Sequence, residues 1–341
     1  MPDQAAAVRT GDPIAQHLAT RQACGLFDFS FMGAWELAGK DAAALLDRLQ
    51  SRDVRQFTPG QIAYTLMCRD DGSIFNDATV WMFSPERYWL FSGRKSDAMW
   101  ITASAPALDV AINQIDRELA VLALQGPHSG RILATLMGET AVRELAYFRF
   151  CAVDFFGVPC QLGRIGYSGE LGYEIVIEAG AAAHLWQGLR EAGAPHRLRE
   201  CGFDAANSLR IESGYILFSH ELAQSRAPDQ IGLKRLVTSV APQRRGHAAS
   251  VAGPAPPDAG LVCVELASAL EVDDDRRLPR LELTSSAFCP TIGNQLGLGF
   301  AARAHRRPGT VLRTQDGVRA TVCALPRYDP LRQRPRADPL W

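Results

Sequence analysis

The chain has 341 residues, 47% of them hydrophobic and 21% charged, with 36 basic against 37 acidic side chains. That composition belongs to an ordinary globular protein able to bury a large core, and the length points to two or three domains. The net charge of -1 supplies no bulk attraction for nucleic acid or an anionic membrane, so neither is expected as a partner.

No apolar run approaches the length that spans a bilayer. Residues 1–10 lack the basic-then-apolar pattern of a signal peptide. The eight cysteines are scattered without a C-x-x-C pair, which favours buried free thiols in a reducing compartment over disulfides or zinc. A cytoplasmic protein without a metal is the expectation.

In chain order, a helix is expected over 17–23, ended near Gly25, then a strand over 34–38. A helix over 42–49 has Asp41 as its N-cap. Strand-like runs at 61–67, 74–83 and 87–91 are separated by the turn signals Asp70-Asp-Gly-Ser73 and Ser84-Pro-Glu-Arg87. That pattern predicts an antiparallel meander. Asp97 is placed to cap a helix reaching Ala103. Residues 109–115 and 118–124 read as a further hairpin, closed at Gln125-Gly-Pro127, before a helix at 128–137. A hairpin over 155–177 precedes helices at 181–192 and 203–212, stopped by Gly193 and Gly214. Composition shifts at 241–260, which reads as a linker or exposed loop. Short strands at 261–266, 281–285, 296–301, 310–313 and 319–324 then suggest a small all-β barrel. Mixed elements followed by all-strand ones place the chain in the α+β class.

One stretch stands out: Arg164-Ile-Gly-Tyr-Ser-Gly-Glu-Leu-Gly-Tyr-Glu-Ile175. Gly163, Gly166, Gly169 and Gly172 lie between two strand-like arms, where such density lets a backbone or a flat ligand approach closely. Glu174 follows on a strand, where a carboxylate needs partners or water. The motifs of dinucleotide, phosphate-loop, zinc-protease and serine-hydrolase sites are absent from the sequence.

Several stretches together resemble one family. Gly72-Ser-Ile-Phe-Asn-Asp77 is similar to the G-G-I-x-D-D turn of aminomethyltransferases, the T-protein of the glycine cleavage system. Leu122-Ala-Leu-Gln-Gly-Pro127 resembles L-A-L-Q-G-P, and the 164–175 stretch resembles R-T-G-Y-T-G-E-D-G-F-E-I. Asn207-Ser-Leu-Arg-Ile-Glu-Ser-Gly214, Thr284-Ser-Ser-Ala-Phe-Cys-Pro-Thr-Ile-Gly293 and Leu325-Pro-Arg-Tyr-Asp-Pro330 resemble further family segments, in order along nearly the whole chain. The wording around 169–174 and 212–215 is closest to the folate-binding part of dimethylglycine and sarcosine dehydrogenases.

The resemblance implies a three-domain ring around a channel that holds tetrahydrofolate. A folate-binding domain would be built from 1–50 and 120–245, an α+β domain from 51–119 and a C-terminal β-barrel from 255–341. It further implies roles for six residues. Asp77 would be catalytic, facing the reacting nitrogens. Glu174 would accept the paired N–H donors of the pterin, against a bland reading as a solvated strand-edge acid. Arg210 would reach the folate, against a bland reading as a helix ion pair with Glu212 or another acid. Tyr167, Met32 and Phe91 would line the channel, or serve simply as core.

The sequence departs from the family where V-S-N-A reads Phe91-Ser-Gly-Arg94, and where T-P-x-E-A-G-L-G-W reads Ala227-Pro-Asp-Gln-Ile-Gly-Leu-Lys-Arg235. The first departure removes a polar folate contact. The second touches the donor side, where a basic residue expected before Leu261 is also missing (Asp258-Ala-Gly-Leu261). The folate side is the better kept. The implied function is a tetrahydrofolate-dependent one-carbon transferase. Its partner is a small-molecule donor, with an oxidoreductase that makes an iminium as one source. The alternative is a folate-binding sensor or assembly protein without turnover.

Overall fold

The structure, a computed structural model, describes residues 11–238, 258–267 and 277–340. Most of the expected linker at 241–260 lies outside the described residues. The chain begins with α1 (Pro13–Gln22), β1 (Cys24–Asp28), β2 (Gly33–Ala38) and α2 (Ala42–Leu49). The meander follows as β3 (Gln61–Cys68), β4 (Ile74–Ser84) and β5 (Arg87–Ser92). Next come α3 (Ala98–Ala103), β6 (Ala111–Gln114), β7 (Leu119–Gln125), α4 (Ser129–Met137) and α5 (Glu139–Glu144). They lead to β8 (Phe150–Phe155), β9 (Val158–Gly163), β10 (Gly172–Glu178), α6 (Ala182–Gly193), β11 (Leu198–Glu200) and α7 (Phe203–Glu212). The last strands are β12 (Ala259–Leu266), β13 (Arg280–Cys289), β14 (Asn294–Ala302), β15 (Val311–Thr314) and β16 (Arg319–Cys323).

These strands make three sheets. The first has the order β11-β1-β7-β10-β9-β8, the second β3-β4-β5-β2-β6, and β12-β14-β13-β15-β16 close into a barrel. The first sheet packs one face on α4, α5 and α6 through Ile132, Val142, Leu185 and Leu189. The second packs one face on α2 and α3 through Leu45, Leu46, Leu49 and Ile101. Sheets covered on both faces need apolar residues on both, and the remaining faces supply three seams. Phe27, Val121 and Val176 of the first sheet meet Ile62, Trp81 and Phe91 of the second. Leu66, Cys68 and Ile74 of the second meet Phe300 of the barrel, with Ile216, Leu222 and Ile231 between them. Ile211 of α7 meets Cys289, Leu296 and Leu298 of the barrel. Three units joined pairwise close a ring.

Several expectations change. Residues 109–115 and 118–124 do not form a hairpin: β6 pairs with β2 in the second sheet, and β7 lies between β1 and β10 in the first. Sequence neighbours read as partners, but β7 is buried between β1 and β10, and β6, mostly exposed, adds to the edge of the second sheet beside β2. Likewise β2, within the stretch 1–50, joins the second sheet, where Trp35 and Leu37 are buried against α2. Asp41 and Asp97 donate no cap to their helices. The Asp41 carboxylate accepts from the Asp109 N–H at 2.8 Å. That of Asp97 accepts from Asn76 at 2.6 Å and Ser92 at 2.7 Å. After β16 the chain leaves the barrel and returns to the first unit. There the Ala337 carbonyl accepts from Arg164 at 2.6 Å, and Pro339 lies so close to Gly130 that a Cβ would sit 2.0 Å from its carbonyl oxygen. Among the described residues no helix is long and apolar enough to cross a membrane.

The four central glycines make room for side chains of the protein itself. A Cβ on Gly166 or Gly172 would fall within 2.0–2.3 Å of Gln125, one on Gly163 within 2.4 Å of Trp81, and one on Gly169 within 2.0 Å of Ser213. Gln125 fills the space they leave and accepts from Ser168 Oγ at 2.8 Å.

Candidate functional site

Residues directly opposed in an antiparallel pair share a sheet face. Tyr64 and Leu66 of β3 therefore share the face of Thr79 and Asp77 on β4, together with Ile62 and Trp81. Ile62 and Trp81 belong to the seam with the first sheet, and Leu66 to the seam with the barrel. Asp77 thus sits on the inner face where two seams converge. On β10, Tyr173, Ile175 and Ile177 face the helices, so Glu174 and Val176 face inward. Opposite Glu174 stand only Ala123 and Gly163, and Trp81 packs onto Gly163 beside it.

Asp77, Tyr64, Tyr167 and Glu174 all keep accessible surface, yet each lies deep enough that desolvation is the largest influence on its ionisation. These part-exposed polar side chains, each largely surrounded by protein, make this inner face the candidate site. Tyr64 donates to Asp77 Oδ2 at 2.9 Å. Burial pushes Asp77 up to about 6, against the Tyr64 hydrogen bond and the Arg94 charge, which hold it down. Glu174 is pushed up to about 7 by desolvation alone. Among the described residues no hydrogen-bond donor reaches its carboxylate, an acid left for something other than the protein to satisfy.

Tyr167 donates to the Ile216 carbonyl at 2.6 Å and stacks on Tyr215 with ring centroids 6.0 Å apart. Met32 packs at the edge of the same seam. Phe91 is in that seam too, but only 4% exposed and wedged between Trp81 and Trp89. Its expected ligand role gives way to core packing.

Arg210 differs most from expectation. Its side chain is wholly buried and spends its donors on Asn207 (2.9 Å), the Tyr215 carbonyl (3.1 Å), Glu221 (2.9 Å) and Ser285 (2.7 Å). The predicted reach to a ligand is replaced by an ion pair with Glu221, because α7 packs directly on β13 and buries the guanidinium beside that carboxylate. Arg210 holds the 215–217 segment whose Ile216 carbonyl receives Tyr167, so it acts on Tyr167 at one remove.

Two groups went unforeseen. Tyr64 and Tyr215 are invisible as site residues until register and stacking place them beside Asp77 and Tyr167, although the period-two pattern of β3 already puts 62, 64 and 66 on one face. A buried ionic network also ties the ring together. Arg21 pairs with Glu170 at 3.0 Å and Glu212 at 2.9 Å, and lies 3.8 Å over the Tyr328 ring. His17 reaches Glu212 at 3.2 Å and Ser208 at 2.7 Å. His220 is exposed, with its Nδ1 hydrogen-bonded to Ser219 at 3.0 Å. At the departure near Phe91, Ser92 donates to Asp97, and Arg94 donates to the Phe75 carbonyl at 2.6 Å. Among the described residues no three metal-ligating side chains converge.

Known proteins agree with this architecture. The family model described as GCVT N-terminal domain matches residues 9–240. An aminomethyltransferase of Streptomyces avermitilis is 33% identical over 326 residues, covering 89% of this chain and 85% of that protein. One from Symbiobacterium thermophilum is 32% identical over 347 residues, covering 94% and 90%. This chain belongs to the aminomethyltransferase family. A crystal structure of the glycine cleavage system aminomethyltransferase T from Bartonella henselae superposes with a TM-score of 0.78 at 23% identity, over 93% of this chain and 90% of that one. The fold is therefore the family's three-unit α+β ring with its terminal barrel. The enzymes of this family are tetrahydrofolate-dependent transferases.

Proposed function

We propose that this chain is a tetrahydrofolate-dependent one-carbon transferase that moves a carbon unit from a substituted small molecule to N5 of the folate. The observation that carries the reading is Glu174: an inward carboxylate with no hydrogen-bond donor among the described residues, pushed up to about 7. A pterin offers a ring N–H and an exocyclic amine side by side, the pair a carboxylate accepts best. Tyr167 and Met32 supply the flat and polarisable surface that the rest of a folate needs.

When bound, tetrahydrofolate supplies the nucleophilic N5 that receives the carbon. The protein's part is placement and charge. Glu174 fixes the ring, and Tyr167 is held in place by the segment that Arg210 orders. Asp77, near 6 and oriented by Tyr64, takes the proton released as N5 gains its carbon, or holds a cationic donor by its negative charge. An aminomethyl or iminium donor delivers a carbon at the methylene level and leaves as its amine. A methyl donor breaks its bond from N, O or S to the methyl carbon as N5 gains the methyl. The proton lost from N5 then ends on the demethylated atom, or on Asp77 where the donor was already cationic. The departure at 227–235, on the donor side, favours a donor other than one delivered on a carrier protein. The iminium released by a partner oxidase is one such donor.

Titration of tetrahydrofolate into the purified protein should give saturable binding, followed by turnover with a methylated or aminomethylated amine. Asp77→Asn should cut turnover by about 10²–10⁴-fold while folate affinity stays nearly unchanged. Turnover that survives this change removes Asp77 from the chemistry. Binding without turnover across a broad donor set favours the sensor reading, and no binding at all refutes both.

A further inference from the structure

The barrel brings together two thiols that the function above does not use. Cys263 on β12 and Cys323 on β16 are directly opposed in an antiparallel pair. Such residues have Cα atoms about 4.5–5.5 Å apart, inside the ~4.4–6.8 Å range of a disulfide. Both thiols are free and face each other across the ladder. Their surroundings differ. Cys263 is fully buried, whereas Cys323 keeps accessible surface. The facing Cys263 thiol holds the Cys323 thiol below its ordinary range, aided by Arg327 and opposed by burial and Glu265, while Cys323 and burial push Cys263 up. A part-exposed thiol directly opposite a fully buried one is the arrangement of an attacking and a resolving cysteine. Cys289 is buried nearby but opposes Asn294, so register offers it neither partner.

We propose that Cys263 and Cys323 form an oxidisable dithiol whose substrate is a small hydroperoxide, with Cys323 as the attacking and Cys263 as the resolving residue. The Cys323 thiolate attacks the O–O bond and keeps one oxygen as a sulfenic acid; the other oxygen leaves and takes up a proton. The Cys263 thiol then displaces the sulfenic oxygen as water, and the disulfide forms. Two thiols and one hydrogen peroxide give one disulfide and two waters, and an added thiol reverses the step by exchange. The bond pins the strand that runs on to Arg327 and Tyr328, whose N–H groups donate to the Glu212 carbonyl.

The test uses the full chain, hydrogen peroxide in modest excess, and thiol counting after denaturation. The eight thiols should fall by two, and a digest should contain one peptide pair joined through Cys263 and Cys323, separated by dithiothreitol. C263S should stop at a Cys323 sulfenic acid captured by dimedone, and C323S should leave Cys263 reduced. An unchanged thiol count, a linkage through Cys289, or oxidation of Cys263 in C323S overturns the proposal. Peptide mapping of the unsubstituted protein decides the matter even where a variant fails to fold.

Discussion

Glu174 and Asp77 hold their protons toward neutrality because burial removes water from both. Asp77 is partly compensated by Tyr64 and Arg94, and Glu174 is not compensated at all. For Glu174 the folded value, about 7, lies above the ordinary carboxylate value of 4.5. The folded protein keeps the proton longer than the unfolded chain, so ionisation opposes folding increasingly as pH rises from 4.5 to 7 and by a constant amount above. With partial accessibility discounted, the penalty is on the order of 1–3 kcal/mol. Glu174→Gln should therefore raise the unfolding midpoint at pH 8 and leave it unchanged at pH 4. On the proposed role, the parent's affinity for tetrahydrofolate should strengthen as pH rises through about 7, by up to ~10-fold per unit below that value. Glu174→Gln should bind weakly at every pH. Calorimetric titrations at pH 6, 7 and 8 distinguish these outcomes, and a flat profile for the parent would remove Glu174 from the binding site.

Among the elements, the β9–β10 pair with its glycine-rich connection is the best example of pattern without placement. The glycine spacing correctly signals close approach, but what approaches is Gln125, Trp81 and Ser213. At Gly163 a methyl group would meet the Trp81 ring at 2.4 Å and Ile62 at 2.7 Å, both of them wholly or nearly buried. Gly163→Ala should cost about 1–3 kcal/mol by overpacking. It should also weaken folate binding, because Trp81 and Glu174 share that face. Denaturant unfolding and the folate titration read the two effects separately. An alanine variant as stable as the parent would mean that the seam between the sheets repacks freely.

At the scale of the whole molecule, Arg210 joins α7, the 215–221 segment and β13. Its partner Glu221 also accepts from the Leu217 N–H at 2.8 Å and Thr284 at 2.8 Å. Arg210→Met leaves that carboxylate buried and unpaired and should cost about 3–5 kcal/mol. Adding Glu221→Gln should recover part of the loss, a coupling that a double-mutant cycle measures. Additive losses would show that the pair holds nothing together. By itself, the sequence determined the local elements: the meander, both long helices after β10 and the barrel strands follow from period and turn residues. Those signals act over a few residues, where backbone preference and side-chain alternation operate. Only the tertiary structure decided which sheet received β2, β6 and β7, and which aspartates were caps. It also decided that Arg210 would spend its charge on Glu221 and that Tyr64 would stand beside Asp77. Those outcomes depend on which apolar face or lone donor is nearest in space, and chain order does not encode that distance.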